Sequence, residues 1–242
     1  MTWRDRTELL IGKEKLEKLA SASVLVVGLG GVGSYAAEMI CRAGVGKMTI
    51  ADGDKITESN INRQLHALNS SVGKYKAEIM AERLLDINPG LELVIVNEFI
   101  RDERMIQILE RRYDYVVDAI DTLSPKVFLI YHSLQKGIPV VSSMGSGGKV
   151  DTTLIKITDI SGTYNCKLAR ILRKRLHKLG VSEGFTAVFS PEEVPEESIE
   201  LTEGEENKAS NVGTISYMPA AFGCACASVV IKALLGLDRN DH

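Results

Sequence analysis

No two of the four cysteines, Cys41, Cys166, Cys224 and Cys226, stand in a Cys-x-x-Cys pair. A metal centre built from two such pairs is therefore excluded. An apolar signal segment is also missing, since the sequence opens Met1-Thr2-Trp3-Arg4-Asp5; a reducing, cytoplasmic setting with free thiols is expected. Positive charge is not in excess: 29 Lys and Arg against 32 Asp and Glu leave −3. No global basic field announces nucleic acid, although a local patch could still bind it. There is no internal repeat. Residues 218–235 are small and apolar, with Pro219 in the first turn, but they are few for a membrane span and Lys232 interrupts them. Their Ala, Gly and Cys content suits a closely packed buried helix at a possible dimer contact, and no membrane insertion is expected. Apolar residues make up 45% of the 242, enough for the core of a single α/β domain spanning 1–242.

What is present is organised around Ser23–Arg63. An apolar run, Val24–Val27, leads into Gly28-Leu29-Gly30-Gly31-Val32-Gly33 and a helical pattern to Ala43. A second apolar run, Met48–Ala51, ends in Asp52. Strand, glycine turn, helix, strand and acid form the first half of a nucleotide-binding α/β unit. Glycine lets the backbone turn tightly and approach phosphate, and the helix N-terminus offers unpaired N–H groups to the anion. Asp52, at the end of the second strand, is placed to accept hydrogen bonds from a ribose.

The remaining elements follow in order. Residues 1–22 read as a helical arm carrying Arg6. Residues 74–87 read as an amphipathic helix with Lys76 in its first turn, stopped by Asn88-Pro89-Gly90. Strands are expected at Leu91–Val96, Tyr115–Asp118 and Ile138–Val141, and helices at Asp102–Arg112 and Pro125–Gln135. This alternation predicts a Rossmann-like, mainly parallel sheet with helices on both faces. Lys149–Ile157 reads as a further strand. Within 161–212, residues 166–178 are strongly basic and 192–206 strongly acidic, the latter read as a mobile crossing loop. A strand and helix extension then completes the chain.

The pattern Asp52…Asn60…Arg63-Gln64…Lys76, followed by Asp118-Ala119-Ile120-Asp121, resembles the ThiF/MoeB/HesA family of ATP-dependent adenylating enzymes. Asn62–Leu68, Lys156–Ile160 and Leu168–Leu176 extend the resemblance, over nearly the whole chain, to its branch of tRNA threonylcarbamoyladenosine dehydratases. The resemblance implies ATP and Mg²⁺ as cofactors. It implies adenylation of the carboxylate of threonylcarbamoyladenosine at position 37 of tRNA, then ring closure with loss of AMP. Gly28, Gly30, Gly31, Gly33, Asp52, Asp54, Asn60, Arg63, Gln64, Lys76 and Asp121 would hold ATP, Asp121 would hold the metal, and Arg63, Lys76, Asp121 and Arg6 would be catalytic. Arg6 would act from the arm of a second subunit in a homodimer. Many members carry a zinc on two Cys-x-x-Cys pairs; none is expected here. tRNA is the implied substrate, and a cysteine desulfurase is a possible sulfur-transfer partner.

Each residue also has a plainer reading. Asp54 reads as a capping or surface carboxylate, Arg63 as half of a surface ion pair, Gln64 as a structural partner of its loop, and Lys76 as a lysine on an exposed helix face. Asp121 could cap the helix that begins near Ser124-Pro125. Cys166 could be a filler or, among basic neighbours, a reactive thiol. His66 and His132 have no acid or nucleophile partner in the sequence. Two other functions compete: activation of a ubiquitin-like sulfur-carrier protein, and binding of NAD in an oxidoreductase or binding module. The second would account for the glycines and Asp52 but not for Asn60, Arg63 and Lys76.

Overall fold

A computed structural model describes residues 2–201 and 210–237. The sheet has seven strands in the order β3-β2-β1-β4-β5-β7-β6. In chain sequence these are β1 (Ser23–Val27), β2 (Lys47–Ala51), β3 (Glu92–Val96), β4 (Tyr115–Asp118), β5 (Val140–Ser143), β6 (Lys156–Asp159) and β7 (Thr186–Phe189). All neighbours pair parallel except β6, which runs antiparallel along the edge against β7. Between β1 and β4 the chain reverses its direction of travel across the sheet. The crevice at the carboxyl ends of these two strands is where an open α/β sheet takes ligands.

The interior strands are near-continuous apolar runs because both faces are covered. Against one face pack α2 (Lys13–Ser21), α3 (Gly33–Arg42), α4 (Lys76–Ile87) and α8 (Tyr217–Leu235); against the other pack α5 (Asp102–Ile108), α6 (Leu123–Gln135) and α7 (Lys167–His177). α8 is long and apolar enough to cross a membrane, yet half of it is buried. It lies tight on α3: a Cβ at Gly223 would come within 2.5 Å of the Val32 carbonyl oxygen. That is the packing of a core helix whose small residues permit close approach.

Several boundaries differ from the sequence expectation. The arm is two helices, α1 (Asp5–Ile11) and α2, parted at Gly12 with φ +84°. β6 begins only at Lys156, and Thr152–Leu154 ahead of it form a 3-10 turn capped by Asp151. β7 has no counterpart in the expected strands. The described part of the acidic segment contains a 3-10 turn and the short strand β8 (Ile199–Leu201), which pairs antiparallel with β9 (Ser210–Val212) further along the chain. Glu203, Glu205 and Glu206 lie outside the described residues. Glu192 is not a solvated charge, since its carboxylate accepts from the Val150 and Asp151 amides at 2.9 and 3.1 Å.

Candidate active site

The glycine turn begins where β1 ends. Gly28 has φ +86°, and a Cβ there would sit 2.6 Å from the Ala119 carbonyl oxygen. At Gly33 the corresponding contact is 1.7 Å, to the carbonyl oxygen of Gly28 itself, and at Gly31 it is 2.8 Å, to Pro219. These three glycines are fixed by packing. Gly30 differs: the nearest neighbour of a Cβ there is the Gln64 amide nitrogen at 3.9 Å, so this stretch of backbone stays open to a ligand.

Asp52 fastens the turn to β2. Its Oδ2 accepts from the Leu29 amide at 2.6 Å and its Oδ1 from the Asp54 amide at 2.8 Å. Burial raises the carboxyl pKa above the usual carboxylate value, opposed by the Lys76 ammonium and the two amide donors. Lys76 is the first residue of α4 and only 6% exposed, so it is not a solvated lysine. Its Nζ lies 2.6 Å from Asp54 Oδ2. Asp54 is thus neither a cap nor a lone surface acid; it holds the lysine beside Asp52.

The loop after β2 turns back through a 3-10 turn, Glu58–Asn60, and Asn60 Oδ1 accepts from the Thr57 amide at 3.2 Å. The Arg63 guanidinium donates to the Ser59 carbonyl at 2.8 Å and to Asn62 Oδ1 at 2.7 Å. Burial lowers the Arg63 pKa, and the charge of Asp121 pulls it back up. The two side chains therefore lie within electrostatic range of each other. Asp121 is exposed and is not the cap of α6, a position that Thr122 occupies. Arg6 lies exposed on α1, which packs on α2. The structure accordingly brings the glycines, Asp52, Asp54, Asn60, Gln64, Lys76, Arg63 and Asp121 to one end of the sheet, and leaves Arg6 on the arm.

Two features go beyond what the sequence assigned. Lys126 and Asp118 form a wholly buried ion pair, Nζ to Oδ2 2.8 Å, beneath the residues that lead to Asp121. Lys126 also donates to the Ile120 carbonyl at 3.0 Å, and Asp118 accepts from Ser142 Oγ at 2.6 Å. The second feature is His66, only 2% exposed. Burial and the neighbouring Lys76 push its pKa down to about 4, so the ring is neutral at pH 7. Among the described residues four buried side-chain polar atoms lack a partner, and three of them, Gln64 Oε1 and both His66 nitrogens, are in this loop. Such groups are ordinarily satisfied by protein, water or ligand, and Gln64 lies beside the open backbone at Gly30. Cys166 is half-buried and lies within electrostatic range of Lys149, whose Nζ donates to the Ser190 carbonyl at 2.6 Å. Among the described residues no group of three or more His, Cys, Asp or Glu could hold a metal ion.

An ATP-handling α/β site of this form defines a class, and the comparisons agree with it. The profile of the ThiF family matches residues 4–242, and the chain belongs to that family. Within it, the chain is 38% identical over 241 residues to the tRNA threonylcarbamoyladenosine dehydratase of Bacillus subtilis, covering 95% of this chain and 93% of the relative. It is 38% identical over 253 residues to the Escherichia coli enzyme of that name, with 96% and 94% covered. The solved E. coli dehydratase in complex with ATP superposes with a TM-score of 0.88 at 36% identity, covering 99% of this chain and 98% of that one. Its complex with AMP gives 0.87 at 37% identity, covering 97% and 96%.

Proposed function

We propose that this chain is an ATP-dependent, AMP-forming tRNA threonylcarbamoyladenosine dehydratase. The observation that carries the reading is the buried Lys76, held by Asp54 beside Asp52 at the glycine turn, with Arg63, whose backbone borders Gly31, within electrostatic range of Asp121. Two cations behind a dinucleotide-type turn suit a triphosphate that loses pyrophosphate, since charge must be neutralised as it moves onto the leaving group.

A carboxylate is a poor electrophile. Its oxygen attacks the α-phosphorus of ATP, the bond to the bridging oxygen breaks, and pyrophosphate leaves with the electron pair. Lys76 and Arg63 stabilise that departing charge. The open backbone at Gly30 and the first amides of α3 receive phosphate oxygens. Asp52 retains lone pairs for the ribose hydroxyls while its two oxygens hold the turn. The substrate's own nucleophile then attacks the acyl-adenylate, AMP departs, and the ring closes, so the site needs positioning more than a covalent side chain. Asp121 is the carboxylate available to Mg²⁺. One protein carboxylate together with phosphate oxygens and waters suits that ion, and it would polarise the phosphates.

In the same reading the active unit is a homodimer in the cytoplasm, residues 1–242 form one adenylation domain, and Arg6 serves the partner's site from the arm. Exposed Leu9 and Leu10 on α1, 81% and 85% accessible, support an arm that rests on a second copy. A cysteine desulfurase is a further partner to be tested by co-purification. The deciding experiment is Arg63→Ala: AMP formation with modified tRNA should vanish while the unfolding midpoint stays put. Full AMP formation by that variant rejects the assignment.

A further inference from the structure

α7 carries a ladder of cations that the adenylation site does not use. Ala169, Leu172 and Leu176 are buried beneath it. Lys167, Arg170, Lys174, His177 and Lys178 recur at spacings of three and four and are all exposed, so they form one stripe roughly opposite the buried side. The stripe runs for about 16 Å along the helix axis. Arg173 is not part of it; half-buried, it donates to the Thr163 carbonyl at 2.7 Å and serves as a brace. The described part of the acidic segment forms no ion pair with the stripe. Its Glu192 is engaged by the Val150 and Asp151 amides, and among the described residues none of the stripe's lysines or its arginine is in an ion pair.

Two further observations point to a ligand. Arg170, Lys174, His177 and Lys178 border an open depression of about 640 Å³ that Arg173, Ser161 and Ser182 also line; the Ser161 hydroxyl donates to Asp159 Oδ1 at 2.7 Å, so the cations set the character of the surface. The flank of α7 next to the stripe meets the active-site end of the sheet: Arg175 donates to Ser124 Oγ at 3.0 Å, three residues beyond Asp121. A polyanion lying along α7 would therefore be led toward Asp121 and Arg63.

We infer that the exposed face of α7 is the surface on which the phosphodiester backbone of tRNA docks, a proposal that rests on the dehydratase reading above. Phosphate contacts fix the register of a nucleic acid without reading its sequence. The stripe would therefore position any tRNA carrying the modified base, with the choice of substrate left to the site.

The test uses the full chain and threonylcarbamoyl-modified tRNA, with affinity measured across a salt series. Arg170→Ala, Lys174→Ala and Lys178→Ala together should weaken binding by about tenfold or more and lower the slope of log K against log salt by about two to three. ATP affinity and the unfolding midpoint should hold, because these side chains are exposed. A second variant, Arg170→Lys with Lys174→Arg and Lys178→Arg, should bind as wild type; its failure would overturn a charge-based contact. An alanine variant that keeps wild-type affinity and slope, in a protein whose wild type forms the cyclic nucleoside, overturns the α7 proposal and leaves the function standing. A wild type that neither binds nor converts modified tRNA removes both. Binding of the stripe to phosphatidylserine vesicles, with tRNA affinity unmoved by the alanines, assigns the face to a membrane and also overturns the proposal.

Discussion

Replacing Lys126 by Met removes one half of a charge pair from a place water does not reach. Both side chains are 0% exposed, with Nζ 2.8 Å from Asp118 Oδ2. Methionine keeps the length and bulk of the chain and leaves Asp118 with Ser142 Oγ at 2.6 Å and the Ile120 amide at 3.2 Å. Two dipolar donors do not replace a cation. Breaking a buried pair from one side costs about 3–5 kcal/mol, and the surviving donors place this case at about 3 kcal/mol. For a chain of this size each kcal/mol moves the midpoint by about 2–4 °C, so Tm should fall by about 6–12 °C. Urea denaturation and calorimetry of Lys126→Met, Asp118→Asn and the double variant give the coupling directly. The double variant should recover about 1–3 kcal/mol relative to the sum of the singles, since neither charge is then left alone. The same network holds the amide and carbonyl of Ile120, immediately before Asp121. The rate of AMP formation by Lys126→Met should therefore drop more than its affinity for ATP. A loss of less than about 1 kcal/mol, or strictly additive singles, refutes the reasoning.

The other predictions are simpler to state. His66 ionises at about 4 in the folded chain against 6.5 unfolded, so the unfolded state binds more protons between those values and stability falls as pH drops through that window. The total penalty is about 3 kcal/mol; comparing denaturation near about pH 7.5 and about pH 4.5, the wild type should lose more than His66→Gln, and equal losses would count against a buried neutral ring. Gly33→Ala places a methyl 1.7 Å from the Gly28 carbonyl, so ATP-induced thermal stabilisation should disappear and stability fall by at least about 1–3 kcal/mol; an ATP response matching wild type contradicts the packing. Mixing Arg6→Ala with Arg63→Ala subunits should restore part of the activity that each lacks, because a heterodimer then holds one intact site; no recovery despite mixed dimers on native mass spectrometry would place Arg6 outside the partner's site.

What could be read from the sequence was local. β1, the glycine turn, α3, β2 and Asp52 lie within thirty residues of one another, and each has a period or a residue type that a short window reveals. What could not be read depends on partners far along the chain. Lys149–Ile157, rich in Val, Thr and Ile, reads as a strand. Yet the Val150 and Asp151 amides are taken by Glu192, about forty residues on, and Asp151 caps a turn, so the ladder starts only at Lys156. The basic stretch shows the same limit. Arg170, Arg173, Lys174 and Arg175 cannot share a face by spacing, and that remains true. The structure resolves the conflict by turning Arg173 inward to Thr163 and Arg175 sideways to Ser124, which leaves a clean stripe at 167, 170, 174, 177 and 178. Lys76 and Lys126 make the point most sharply. Both are lysines near the start of amphipathic helices, where solvent is the ordinary destination. Each is buried because one acid waits at a strand end or just beyond it: Asp54 after β2, Asp118 closing β4. The first pair keeps a cation beside the glycine turn, and the second fixes the residues leading to Asp121. The polar machinery of this site is therefore set by which carboxylates the sheet places at its carboxyl edge, and strand order, which no short window contains, decides that.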